Sequence, residues 1–263
     1  MLLWLIVFLM FLCEILNILA YLYKNDFLKY ISKNIFFVAS LGLILIIFNY
    51  GNCPLHSLKG SILVFALFLD IISLFFIIKY KLESIISIVS PILGLILVLS
   101  LLLESNNFVA LNNYKFIVKI HILTSFLAYA SFLFSGIVSI LFLRFHRSLK
   151  KKTLSELFKE VPSFPFLEKA IDHATAFGLI VITFSLVTGF ILLKMYYGTL
   201  FVFDVKVISL ILLYILYIIF FILRFVKKIN SYVWAKYNIL ASLFLLILFI
   251  FGNSFLPGIH SFK

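Results

Sequence analysis

Eight stretches of continuously apolar residues, at 2–22, 35–50, 61–78, 84–103, 120–143, 173–193, 205–225 and 233–251, leave this chain few folds to choose from. Crossing a hydrocarbon layer of about 30 Å takes about 20 apolar residues as a helix, the conformation that satisfies every backbone donor and acceptor within the segment. A membrane barrel would instead show segments of roughly ten residues with alternating polarity, and these runs do not alternate. With 65% hydrophobic and 12% charged residues, the chain also lacks the polar skin of a soluble protein. The reading is an all-α, polytopic membrane helix bundle of about eight transmembrane helices. It forms one integral membrane domain over 1–263, with an N-terminal four-helix half at 1–118 and a second half at 119–263.

The basic residues orient the bundle. Five cationic residues stand between Arg144 and Lys152, and a knot of this kind marks a cytoplasmic loop. Alternating the spans puts 16 of the 22 Lys and Arg on that same face. Both termini are then expected outside. The net charge of +12 reflects topology and attraction to anionic lipid, so the bilayer is a partner and nucleic acid is not. The first span has its basic cluster after it rather than before it, the reverse of a secretory signal, and is expected to stay in the mature protein. Trp4 and Trp234 fall at span ends, where indoles prefer the membrane interface.

Between the fifth and sixth spans, Thr153 and Glu156 stand in capping-box spacing ahead of Leu157, Phe158 and Val161, which predicts a short surface helix over 153–161. Pro162 ends it, and Ser163 with Pro165 starts a helix expected to run unbroken into the sixth span. The fifth span carries His121, Ser125, Ala128, Tyr129, Phe132, Ser135, Gly136 and Ser139 at helical spacing. Such a small and polar face predicts close packing against another helix. The sixth span answers with Ser185 and Gly189, four apart.

Topology sorts the five histidines. His146 and His173 fall on the cytoplasmic side, while His56, His121 and His260 fall on the outer one. A single interfacial histidine commonly serves as an amphipathic anchor. Three on one face also offer imidazoles for haem iron, which two histidines from neighbouring helix ends can hold from both sides. Zinc would ask for three or four ligands, and besides these histidines only Cys53 is at hand. Glu14 and Asp70 lie inside spans, where a carboxyl is either a proton or ion site or a protonated group bonded to a neighbouring helix. Cys13 and Cys53 show no Cys-x-x-Cys spacing, which gives no support to thiol-disulfide chemistry. A phosphate-cradling loop, a nucleophile elbow and a His-Glu-x-x-His helix are all absent from the sequence.

From about Lys119 onward the chain resembles the cytochrome c assembly family, the CcsA/HemX-like membrane proteins that handle haem. The motifs are His121 followed by Thr124-Ser125-Phe126-Leu127-Ala128-Tyr129-Ala130, then Thr183 to Gly189, and Gly258-Ile259-His260-Ser261-Phe262 at the C-terminus. The first half resembles the family more loosely, through Pro54 to Leu58. The resemblance implies that His121 and His260 ligate the iron of a bound haem b and flank an external loop, 195–204, whose aromatics form its platform. Where the family tends to carry Trp-x-Trp-Asp, this chain has Phe201-Val202-Phe203-Asp204, so every loop indole is gone. A phenyl ring still offers an apolar wall to a porphyrin. Asp204-Val205-Lys206-Val207 is more similar to the HemX-like branch. The implied cofactor-binding set is therefore Phe201, Phe203, Asp204 and Lys206, with Lys206 or Lys119 opposite a haem propionate.

What the resemblance implies is haem handling in cytochrome c biogenesis, with haem presented at the outer face of a bacterial inner membrane. Partners would be other assembly membrane proteins and apocytochrome c. The chain would be at most a subunit of a haem-attachment system rather than an enzyme by itself. The alternatives are a proton- or solute-coupled permease built on Glu14 and Asp70, and a regulator of haem homeostasis without chemistry.

Overall fold

The computed structural model describes residues 2–50, 54–80, 83–103, 115–150, 164–199, 205–226 and 228–254. They form eight α-helices: α1 (Leu2–Tyr23), α2 (Asp26–Phe48), α3 (Leu58–Tyr80), α4 (Ile86–Leu102), α5 (Lys115–Lys150), α6 (Phe164–Tyr197), α7 (Val205–Phe225) and α8 (Ser231–Ser254). All eight are long and apolar enough to cross a membrane, taking the 3-10 turn at Glu83–Ile85 with α4. Among the described residues there is no strand.

The helices depart from the expected spans chiefly at their ends. α2 begins at Asp26 rather than near Ile35, because Asn25 caps it. The Asn25 side chain accepts from the backbone N–H of Phe27 at 2.9 Å and of Leu28 at 3.3 Å, and Asp26 adds negative charge to the first turn. Lys24 turns the chain between α1 and α2 in the left-handed region, at φ 51°. The polar opening of α2 is tolerated because Lys33 pairs with Glu83.

α5 has 36 residues and α6 has 34. At a rise of about 1.5 Å per residue each is roughly 50 Å long, well beyond the hydrocarbon thickness. Arg147 and Lys150 sit in the last turn of α5, where cations favour the helix dipole. Pro165 lies in the first turn of α6, and the helix runs on unbroken into the sixth span as expected. It stops at Gly198, whose φ of 70° suits a residue without a Cβ and whose N–H bonds the Lys194 carbonyl at 3.0 Å. The external loop expected over 195–204 thus starts later, since Met195, Tyr196 and Tyr197 belong to α6. The predicted surface helix at 153–161 lies outside the described residues.

The chain divides into two compact units. Unit 1 comprises Met1–Asn106 with Arg144–Leu167, and unit 2 comprises Asn107–Leu143 with Glu168–Lys263. In unit 1, α1 packs against α2 and α4, and α3 against α4, around fully buried Met10, Phe36, Leu43, Leu69, Leu93 and Leu97.

In unit 2, α5 and α6 run antiparallel in strict register. Four steps forward along α5 meet four steps back along α6, from Gly189 against His121 to the Ser125–Ser185 hydroxyl pair. Farther along, Gly178 lies against Phe132, and the Ser135 hydroxyl is 2.8 Å from that of Thr175. The small face of α5 also meets α8, where a Cβ at Gly136 would fall 2.1 Å from Ser242 Oγ. The close packing foreseen for that face is present. Outward, α7 exposes Ile208, Leu212, Ile215, Leu216, Ile219 and Ile222 along one stripe, as lipid contact requires. Trp4 is likewise exposed, but Trp234 is not the interfacial anchor expected of it. Its side chain is 1% exposed and its indole N–H donates to Asp172 Oδ1 at 2.8 Å, because a carboxylate on α6 gives that donor a partner inside the unit.

Candidate functional site

His121 stands near the start of α5, half-buried against the last turns of α6. Its Nδ1 lies 2.9 Å from the Ser185 carbonyl oxygen and 3.3 Å from Thr188 Oγ1. A carbonyl can only accept, so Nδ1 carries a proton, and in the neutral ring Nε2 is then the basic nitrogen. A backbone carbonyl on Nδ1 is a common way to orient an imidazole that binds metal through Nε2. The ring fits because residue 189 is glycine. A Cβ there would lie 2.9 Å from His121 Cε1, too close for the ring to stay where it is. Ser125 closes the cradle by donating to the His121 carbonyl at 2.7 Å while sharing a bond with the Ser185 hydroxyl. Sequence pattern singled out His121, Ser125, Ser185 and Gly189. Thr188 was missed as an individual residue, although it stands inside the 183–189 motif.

Two further polar levels hold the helices that carry this cradle. At mid-depth the buried Asn238 of α8 accepts through Oδ1 from Ser135 at 2.9 Å and Thr175 at 3.0 Å, while its own amide donates to the Trp234 carbonyl at 3.0 Å. Asn238 escaped the sequence reading, and the available signal was the cost of an amide inside an apolar span. At the far end from His121, Arg224 of α7 donates to Glu168 Oε2 at 3.0 Å and to both Asp172 oxygens at 3.4 Å. Ser231 Oγ lies 3.0 Å from the same guanidinium, and Trp234 completes the cluster through Asp172. This clasp ties α6, α7 and α8 together.

Of the other residues assigned to haem, His260, Phe201, Phe203 and Asp204 lie outside the described residues. Lys206 stands in the first turn of α7, described in its backbone only. Lys119 is two residues before His121 on α5, and residues two apart point to different faces of a helix. His56 closes a 3-10 turn over Pro54–His56, ahead of α3.

The polar groups of unit 1 gather separately. Asp70 is fully buried on α3 and its Oδ1 lies 2.9 Å from Ser40 Oγ on α2. Glu14 on α1 accepts from Ser90 on α4 at 3.5 Å. The Cys13 thiol is buried against the Ser32 hydroxyl at 3.2 Å.

Eight apolar helices, lipid-type exposure and polar residues confined to helix seams define an integral, polytopic α-helical membrane protein. The chain belongs to the cytochrome c assembly protein family, whose model matches residues 2–260. The match extends the likeness from the half at 119–263, where the motifs stand, across the first four helices as well. Membership implies a role in cytochrome c biogenesis, and the family handles haem. No individual curated protein matches the chain.

Proposed function

We propose that the protein binds haem b at the outer face of a bacterial inner membrane and presents it for cytochrome c assembly. The observation that carries this reading is the orientation of His121, whose Nδ1 is 2.9 Å from the Ser185 carbonyl and whose ring fills the space that glycine at 189 leaves for it. Haem suits such a site: iron takes axial imidazole through Nε2, and an oriented imidazole is a stronger ligand than a mobile one.

His121 and His260 are the axial pair in this reading. Phe201 and Phe203 supply an apolar wall, and Lys206 pairs a propionate, with Asp204 beside it in sequence. Haem would be the cargo, and the chain's own residues would orient the ligand nitrogen. The basic residues at the other end of these helices, Lys169, Arg224 and Lys236, belong on the cytoplasmic side by the positive-inside rule. His121 is then outside, and so are both termini. Partners are apocytochrome c and other assembly membrane proteins, which complete the attachment that this chain does not perform alone.

Absorption spectroscopy of the protein purified in detergent tests the assignment. A Soret band that disappears or shifts in His121→Ala and in His260→Ala is expected. A band unchanged in the double variant removes both histidines from the iron, and a protein that never takes up haem ends the proposal.

A further inference from the structure

A second site lies in unit 1 and stands without the haem reading. Asp70 is fully buried in the middle of α3, and its Oδ1 is 2.9 Å from Ser40 Oγ. The same hydroxyl is 2.9 Å from the Phe36 carbonyl, one turn back on α2. Ser40 has one proton to give. When it goes to the Phe36 carbonyl, as helical serines commonly arrange, the contact with Oδ1 is satisfied only by a proton on the carboxyl, donated to Ser40 Oγ. Oδ2 is buried with no hydrogen-bond partner among the described residues. That is tolerable for the carbonyl of a neutral acid and costly for an ionised one.

Among the described residues of the elements packed against α3, no cation stands close enough to offset a charge at this place. α3 packs against α4, α2 and the turns at Pro54–His56 and Glu83–Ile85. α4 carries no titratable side chain. On α2 the titratable groups are Asp26, Lys29, Tyr30 and Lys33, of which even Lys33 is about 10 Å along the axis from Ser40. On α3 itself Lys59, Lys79 and Tyr80 stand more than about 13 Å along the axis from Asp70. The turns bring His56 and Glu83, the latter already paired with Lys33. On α1, Glu14 is engaged by Ser90 and Cys13 by Ser32.

We propose that Asp70 and Ser40 form a proton-binding site in the four-helix unit: Asp70 holds a proton in the folded protein, and its hydrogen bond with Ser40 joins α3 to α2. Releasing the proton would leave a carboxylate whose Oδ2 is buried without a partner among the described residues and whose Oδ1 has only a hydroxyl shared with the Phe36 carbonyl. The α2–α3 seam must therefore admit water or a cation before the proton can depart. Protonation and separation of the two helices are coupled at this one pair.

Infrared spectroscopy of the full chain in lipid, with carbon-13 in the aspartate side-chain carboxyls, tests this directly. A protonated-acid carbonyl stretch is expected that moves with the label, falls in heavy water and is lost in Asp70→Asn. In Ser40→Ala it should persist and rise in frequency, having lost its hydrogen bond. The proposal is overturned when the label moves only ionised-carboxylate bands, or when the acid band survives Asp70→Asn. Should Asp70→Asn fail to fold, the label and Ser40→Ala still decide, because the label separates aspartate from Glu14.

Discussion

The two units use polar residues inside the bilayer in opposite ways. In unit 2 polar side chains of the α5–α6 seam find partners on facing helices, His121 and Ser125 with Ser185 and Ser135 with Thr175 and Asn238, while the buried Ser131 hydroxyl has none among the described residues. Its charges gather at one end, where Arg224 meets Glu168 and Asp172. Unit 1 keeps two carboxyls within its spans, Glu14 and Asp70, and offers them serines rather than cations. Polar groups in unit 2 pair across helix seams, whereas unit 1 keeps carboxyls within its spans beside hydroxyls. A hydroxyl or amide pair costs little to bury once satisfied; an unpaired carboxyl is retained only in its neutral form or for a purpose.

The comparison is best broken at its strongest joint. Arg224→Ala would remove the shared cation of Glu168 and Asp172, whose side chains are 32% and 29% exposed, and should destabilise unit 2 by about 2 kcal/mol, read as a lowered thermal midpoint in detergent. Gly136→Ala comes next. It drives a Cβ into Ser242 and should cost about 2 kcal/mol in the same assay, while Gly94→Ala in unit 1, where the nearest ring atom is 3.1 Å away, should cost less. Gly189→Ala should leave folding nearly intact yet weaken haem binding about tenfold or more, as loss of an orienting contact does, measured by haem titration. Lys33→Ala, removing a pair whose side chains are 37% and 41% exposed, should change stability by less than about 1 kcal/mol. A result in which Lys33→Ala rivals Arg224→Ala would erase the distinction between the units.

Much of this was legible in the residues. Continuous apolar runs give the number and type of helices because the bilayer leaves backbone groups no other partner. The seam of α5 could be read because Ser125, Ser135 and Gly136 are too small and too regularly spaced for lipid contact. Helix ends were harder: Asn25 and Asn230 set the starts of α2 and α8 through side-chain caps, a local signal that hydropathy overrides. Trp234 was misread because an indole at a span end serves lipid or protein equally well, and only the position of Asp172 on another helix decides. At the candidate site His121 could be singled out from the residues alone, but its orientation could not, because that depends on a backbone carbonyl some sixty positions away in the chain.

The contacts of α5 recur at 121, 125, 128, 132, 135 and 139, alternating steps of four and three, as in a coiled coil. A seam with that spacing can slip only by a whole heptad, roughly 10 Å, and a slip would bring Ile182 or Tyr196 opposite His121 in place of Gly189. Neither leaves room for the ring. The heptad seam is thus a ruler fixed to the membrane normal, setting the height at which the imidazole stands to within a fraction of a turn.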